Sequence, residues 1–123
     1  MIVVRSIAEL ELPRRGTVGL VPTMGALHAG HAALFGAARA DCDVVVASLF
    51  VNDAQFSDPA DLAAYPGDLD ADAALAAAEG VDVLFAPSRA EMYPPGFATW
   101  VEPGGVAELW RRISNWKVRR RAA

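Results

Sequence analysis

Three short apolar runs, separated by helix-patterned stretches, constrain this chain more than any other feature. The first is Thr-Val-Gly-Leu-Val-Pro over residues 17–22, ended by its proline. The second is Asp-Val-Val-Val-Ala-Ser-Leu-Phe-Val over 43–51, and the third is Val-Asp-Val-Leu-Phe-Ala over 81–86, stopped by Pro87. Length and β-branched content mark them as strands. Nearly continuous apolar strands belong in a sheet covered on both faces, and such sheets are parallel. Between them, His31 to Ala40 is alanine-rich and helical, with Leu34 and Phe35 as its large apolar residues. Asp58-Pro59-Ala60-Asp61 reads as a helix start, with an Asp cap, Pro at the first helical position and an acid near the positive end of the dipole. Tyr65-Pro66 breaks that helix. Asp68 opens another over Leu69 to Glu79, and Gly80 stops it. Beyond Pro87, Met92 to Phe97 reads as a turn, Ala98 to Val101 as a short strand, and Val106 onward as a helix. The alternation predicts an α/β fold, a doubly wound parallel sheet with right-handed crossovers.

With 123 residues, 54% of them hydrophobic, the chain has material for one core and is far from the composition of a disordered segment. No apolar run reaches the ~18–20 residues of a membrane span. The longest, Val44 to Val51, is strand-sized and interrupted by Ser48. No signal peptide is evident at the N-terminus. Cys42 is the single cysteine, so it forms no internal disulfide and no zinc cluster, and a reducing, cytoplasmic setting is the expectation. It reads as a small buried hydrophobe rather than a nucleophile. Charge divides the chain in two. Residues 1–110 hold five arginines against all 15 acids, whereas residues 111–123 hold Arg111, Arg112, Lys117, Arg119, Arg120 and Arg121 and no acid. The acidic body repels a nucleic acid backbone; the basic end alone could attract one, but its composition is also that of an ordinary solvated terminus, and no nucleic acid partner is expected.

The segment Pro22-Thr23-Met24-Gly25-Ala26-Leu27-His28-Ala29-Gly30-His31 links a buried strand to a helix. Ligands of doubly wound sheets collect beyond the carboxyl ends of the strands. Gly25 and Gly30 allow a ligand to approach the backbone. The first amides of the following helix are donors suited to an anion. His28 and His31, three residues apart, face one side if both lie on the helical turn, where their imidazoles can donate to developing negative charge. A structural histidine pair fits the same spacing. A metal site fits poorly, because no third ligand is identifiable. The second segment, Phe50-Val51-Asn52-Asp53-Ala54-Gln55-Phe56, leaves the second strand at the same edge. Its amides, Asn52 and Gln55, suit a hydroxylated carboxylate ligand, although such a sequence also forms a simple turn.

Val21-Pro22-Thr23-Met24-Gly25-Ala26-Leu27-His28-Ala29-Gly30-His31 closely resembles the nucleotide-binding signature of the pantothenate synthetase (pantoate–β-alanine ligase) family. Its His-x-Gly-His core is shared across the nucleotidyltransferase superfamily, whereas the whole string is far more specific. Further matches follow in order: Phe50-Val51-Asn52, Gln55-Phe56, Tyr65-Pro66, Asp70-Ala71-Asp72, Gly80-Val81-Asp82, Phe85-Ala86-Pro87-Ser88 and Glu91 to Thr99. The resemblance implies a Rossmann-like ATP- and pantoate-binding domain over residues 1–109, incomplete relative to the family, and a basic tail, 110–123, unlike it. It implies condensation of pantoate with β-alanine, driven by ATP with magnesium, through a pantoyl-adenylate intermediate. Met24, Gly25, Ala26, Leu27, His28, Ala29, Gly30 and His31 would line the ATP site. His28 and His31 would be catalytic, stabilising the phosphates as pyrophosphate leaves. Gln55, with Asn52 and Met24, would hold pantoate and receive β-alanine, and Tyr65 would line the pocket. The magnesium would come with ATP, without assigned protein ligands. A homodimer and no membrane association are also implied.

Two departures stand out. Asp53-Ala54 occupy positions where the family usually has Pro-Leu or Pro-Met, which would loosen the turn presenting Gln55 and, if Asp53 pointed inward, repel pantoate. After Leu109 the family continues with lysine, arginine and glutamine segments that do not occur here. The change in resemblance coincides with the charge reversal, as a frameshifted or truncated reading frame would produce. Two other readings stay open at this point: a different His-x-Gly-His nucleotidyltransferase, and an ATP-binding remnant without catalysis.

Overall fold

The computed structural model describes residues 1–56, 58–101 and 105. It contains strands β1 (Ile2–Val4), β2 (Val18–Thr23), β3 (Val44–Leu49) and β4 (Val83–Phe85), and helices α1 (Ala29–Asp41), α2 (Pro59–Ala63), α3 (Leu69–Ala78) and α4 (Arg89–Met92). Single 3-10 turns cover Ile7–Glu9 and Asp53–Gln55. The strands form one parallel sheet in the order β1-β4-β3-β2. The three expected strands and the helices between them are all present.

β2 runs through Pro22 to Thr23 instead of ending at the proline. Its edge position explains this, because Pro lacks the amide that an inner strand would need. α1 begins at Ala29, two residues before the expected His31, for a reason that lies in the site. β1 was not expected from the sequence, and pairs with β4 in register Ile2 to Val83. Residues 98–101 form no strand. Trp100 instead stacks on Tyr93 at 5.9 Å between ring centroids, and Phe97 meets both rings edge-on. The expected helix from Val106 and the basic tail lie outside the described residues.

Helix ends follow their sequence signals. Asp58 accepts the Ala60 amide at 2.8 Å, with Pro59 opening α2. Asp68 accepts the amides of Asp70 and Ala71. After α3, Gly80 donates to Ala77 and Val81 to Ala76, the paired bonds that close a helix on a glycine. Arg39, in the last turn of α1, donates to the carbonyls of Cys42 and Asp43 and to the Asp82 carboxylate. Cys42 is half-buried beside it.

The core lies between one face of the sheet and helices α1 and α3. Val21, Val45, Ala47 and Leu84 project from the sheet, Phe35 comes from α1 and Ala76 from α3, and Val81 closes the edge. On the opposite face Val46 is buried, whereas Leu20, its neighbour on β2, is 63% exposed and Ile2 on β1 is 65% exposed. The helices therefore cover one face among the described residues. Among those residues no helix is long and apolar enough to cross a membrane.

Phe35 has no exposed surface, and its neighbour Leu34 is 55% exposed. Phe35→Ala should lower unfolding free energy by about 3–5 kcal/mol through cavity formation. Leu34→Ala should stay within about 0.5 kcal/mol of wild type. Urea denaturation of both variants checks the assignment of the covered face.

Candidate functional site

The carboxyl ends of β2, β3 and β4 open into a cleft of about 450 Å³. That falls within the ~300–1,000 Å³ of small-molecule sites. Pro22, Thr23 and Met24 line it from β2; Ser48, Phe50, Asn52 and Gln55 from β3 and the turn after it; and Phe85, Pro87 and Met92 from β4 and α4. His31 and Tyr65 complete the wall. Of the residues singled out by sequence, Met24, His31, Asn52, Gln55 and Tyr65 thus meet at one cleft. Gly25 is buried behind it, Leu27 packs on the core, and His28, Ala29 and Gly30 are exposed beside the helix start.

Thr23 begins the corner. Its hydroxyl donates to the Ser48 carbonyl at 2.9 Å and accepts the Gly25 amide at 3.2 Å, tying the end of β2 to β3. Gly25 and Ala26 then take φ values of 81° and 52°, so two successive residues occupy the left-handed region. A side chain on Gly25 would be strained there, and its Cβ would meet Asp72 Oδ2 at 3.0 Å. Ala26 bears the strain that alanine incurs in this region. Asp72 holds the turn. Only 5% exposed, it accepts the Ala26 amide at 3.0 Å and the Leu27 amide at 2.7 Å, one on each carboxylate oxygen. In the sequence Asp72 stands out only within a longer match to the family. A local signal was nonetheless available: Asp72 falls in the helical stripe of Leu69, Ala73 and Ala76, where an acid is costly unless it is paired.

The turn delivers His28 to the N-cap of α1. His28 Nδ1 accepts the Gly30 amide at 3.0 Å, and His31 Nδ1 accepts the His28 amide at 3.2 Å. The two imidazoles cap the helix reciprocally, as Ser and Glu do in other helices. The rings lie 4.2 Å apart at 55°, on the same side. A Cβ at residue 30 would come within 2.8 Å of His28 Cε1, so the ring position itself requires Gly30. The Gly30 amide is consequently committed to His28 and not free for an anion, as the sequence had suggested. With Nδ1 accepting, each neutral ring carries its hydrogen on Nε2. Burial holds the His31 pKa below the ordinary imidazole value, and His28 adds to that effect, while Asp72 opposes it.

The remaining polar wall comes from the turn after β3. Asn52 caps it, its Oδ1 accepting the Ala54 amide at 3.2 Å. Tyr65 faces the other side, its hydroxyl 3.4 Å from the Gly25 carbonyl. Of the lining residues not singled out from sequence, Ser48, Phe50, Phe85 and Pro87 stand at or just beyond strand ends, where the rule for doubly wound sheets places ligand contacts, and Met92 reaches the cleft from the end of α4. Among the described residues no three His, Cys, Asp or Glu side chains group to hold a metal ion.

Asp72→Ala would strand two amides in a left-handed turn and should cost about 2–4 kcal/mol. Asp72→Asn keeps one acceptor and should cost about half as much in the same urea titration. Protonating His31 removes the acceptor of the His28 amide. Because its folded pKa is depressed, its contribution is fully present above the unfolded value near ~6.5 and declines as pH falls through the folded one. His31→Gln should therefore flatten the loss of stability between about pH 7.5 and about pH 5.

The sequence model for pantoate-beta-alanine ligase matches residues 3–115. The pantothenate synthetase of Deinococcus radiodurans is 62% identical over 100 residues, covering 81% of this chain and 36% of that protein. The Roseiflexus sp. pantothenate synthetase is 52% identical over 110 residues, covering 87% of this chain and 40% of its own length. Among solved structures, pantothenate synthetase from Thermus thermophilus superposes with a TM-score of 0.80 at 54% identity, covering 85% of this chain and 38% of that one. Pantoate-beta-alanine ligase from Francisella tularensis, complexed with beta-gamma ATP and beta-alanine, gives 0.78 at 42% identity, covering 84% of this chain and 41% of that one. The chain thus spans about two-fifths of the length of these relatives. A family match over residues 3–115, with relatives above 50% identity across most of the chain, makes the chain a member of the pantoate–beta-alanine ligase family.

Proposed function

We propose that the cleft binds ATP and pantoate for the adenylation half of pantothenate synthesis, with β-alanine as the second acceptor. The observation that carries this reading is the reciprocal histidine cap opening beside Met24, Asn52 and Gln55. It is supported by the beta-gamma ATP and beta-alanine with which the Francisella tularensis relative is complexed. In this reading Met24, Gly25, Ala26, Leu27, His28, Ala29, Gly30 and His31 form the nucleotide corner. Gln55, Asn52 and Met24 hold pantoate. A pantoate carboxylate oxygen attacks the α-phosphorus of ATP, and the bond to the bridging oxygen breaks to release pyrophosphate. The Nε2 hydrogens of His28 and His31 donate to the departing phosphates, in a geometry fixed before the reaction by the cap. The β-alanine amine then attacks the acyl carbon, AMP leaves, and the amine gives up a proton. Holding the acid and ATP side by side lowers the entropic part of the first barrier.

The charge of the phosphates is the harder problem. The described lining contains no lysine or arginine. The described carboxylates and imidazoles do not fit a protein-held magnesium site, so no step is assigned to that ion. A second reading follows from the uncharged wall, that of a chain which binds ATP and pantoate without turning them over. By family membership we also read the chain as cytoplasmic and able to form homodimers.

Pantoate-dependent exchange of labelled pyrophosphate into ATP tests the main reading directly. Exchange with pantoate, reduced about 10²-fold or more in His31→Ala, is the expected result. Calorimetric binding of both ligands without exchange would favour the second reading. Exchange with another acid and none with pantoate would overturn both.

A further inference from the structure

The turn that carries Asn52 and Gln55 has one 3-10 turn of backbone and no proline. A segment so short does not hold itself, because its hydrogen bonds are few and poorly aligned. Two contacts reach it from α4 and the residue that follows. Arg89 Nε donates to Asp53 Oδ2 at 2.5 Å. The Tyr93 hydroxyl donates to Asn52 Oδ1 at 3.0 Å, the same oxygen that caps the turn. The two anchors also touch each other, with the Arg89 guanidinium carbon 5.5 Å from the Tyr93 ring centroid. α4 is secured from its far side, where Glu91 accepts the Ile7 amide at 2.7 Å. Among the described residues the second oxygen of Asp53 is buried without a partner, and Arg89 is the group that meets this carboxylate from α4. Asp53 is not part of the cleft lining, whereas Asn52 and Gln55, on either side of it, are.

We propose that Asp53 and Arg89 are positioning residues, an ion-pair latch that fastens the Asn52–Gln55 turn to α4 and so fixes the Gln55 amide at the cleft wall. The Arg89 side chain is 63% exposed and that of Asp53 is 32% exposed. A pair this open adds little to global stability, so its signature is local order. The consequence for pantoate rests on the proposed function, but the hold on the turn does not.

Amide hydrogen exchange on the ligand-free full chain reads the latch. Asp53→Asn and Arg89→Gln should each speed exchange at Ala54, Gln55 and Phe56 by about two- to fivefold. Arg89→Lys should stay close to wild type, and the amides of Val45 to Ala47 should not change. Raising NaCl from about 0.05 M to about 1 M should bring wild type toward the variants and leave Asp53→Asn where it is. Unaltered exchange at residues 54–56 in both charge-removing variants would overturn the proposal, as would an increase shared equally with Val45 to Ala47. Calorimetry with pantoate and a non-hydrolysable ATP analogue then tests the consequence. Pantoate should bind about two- to fivefold more weakly to the same two variants, with Arg89→Lys again near wild type. A wild-type chain that binds no pantoate would defeat the proposed function, and the exchange data would still decide the latch.

Discussion

A buried carboxylate and a strained turn compensate one another at the centre of this molecule. Asp72 would be costly on the apolar face of α3 without donors to meet it. Gly25 and Ala26 would be costly in the left-handed region without a partner for the amides that follow. Joined, the carboxylate takes both amides and the turn becomes the stable exit from β2. The chain then leaves the sheet in the direction that places His28 at the first turn of α1. The facing rings of His28 and His31, and with them the histidine side of the cleft, inherit their position from that mutual compensation.

The histidine pair shows how structure and chemistry share the same atoms. Each imidazole commits Nδ1 to a backbone amide of the helix start. That commitment fixes the tautomer and leaves Nε2 as the donor. Burial holds His31 toward its neutral form, which the cap also requires, since a protonated Nδ1 would face an N–H. The rings are therefore oriented before any ligand arrives. A serine or aspartate cap would have stabilised the helix as well, but would have offered no second heteroatom with a hydrogen to donate.

Particular residues explain what could be read from the sequence. α2 and α3 announced themselves through Asp58-Pro59 and Asp68, because those residues cap helices by a mechanism visible in composition. The start of α1 was displaced by two residues because imidazole is not among the usual caps. β1 escaped notice because three residues carry little pattern and its partner, β4, is some eighty residues away in sequence. The clustering of Met24, Asn52, Gln55 and His31 was legible through one rule, that ligands gather beyond the carboxyl ends of parallel strands. Asp70 and Asp72 were harder to read. Both sit in a run dominated by alanine, where the one local sign is that Asp72 falls in the stripe of Leu69, Ala73 and Ala76, and nothing in that pattern names the two amides it meets. Asp53 was legible as a departure from the family but not as a partner of Arg89, because an ion pair between residues 36 apart leaves no trace in local pattern.

The electrostatic character of the cleft follows from the same arrangement. Its polar lining consists of hydroxyls, side-chain amides and an imidazole held toward neutrality. Oriented dipoles of this kind meet an anion without reorganising, which makes them effective where charge shifts during a reaction. They do not neutralise that charge. The two arginines that form ion pairs among the described residues stand elsewhere: Arg39 at the opposite ends of the strands, bound to Asp82, and Arg89 outside the wall, bound to Asp53. Both are engaged in holding the scaffold. The described part of the chain therefore supplies direction to a bound anion and little compensation for its charge, and this is the physical reason that recognition and turnover are separable questions for this molecule.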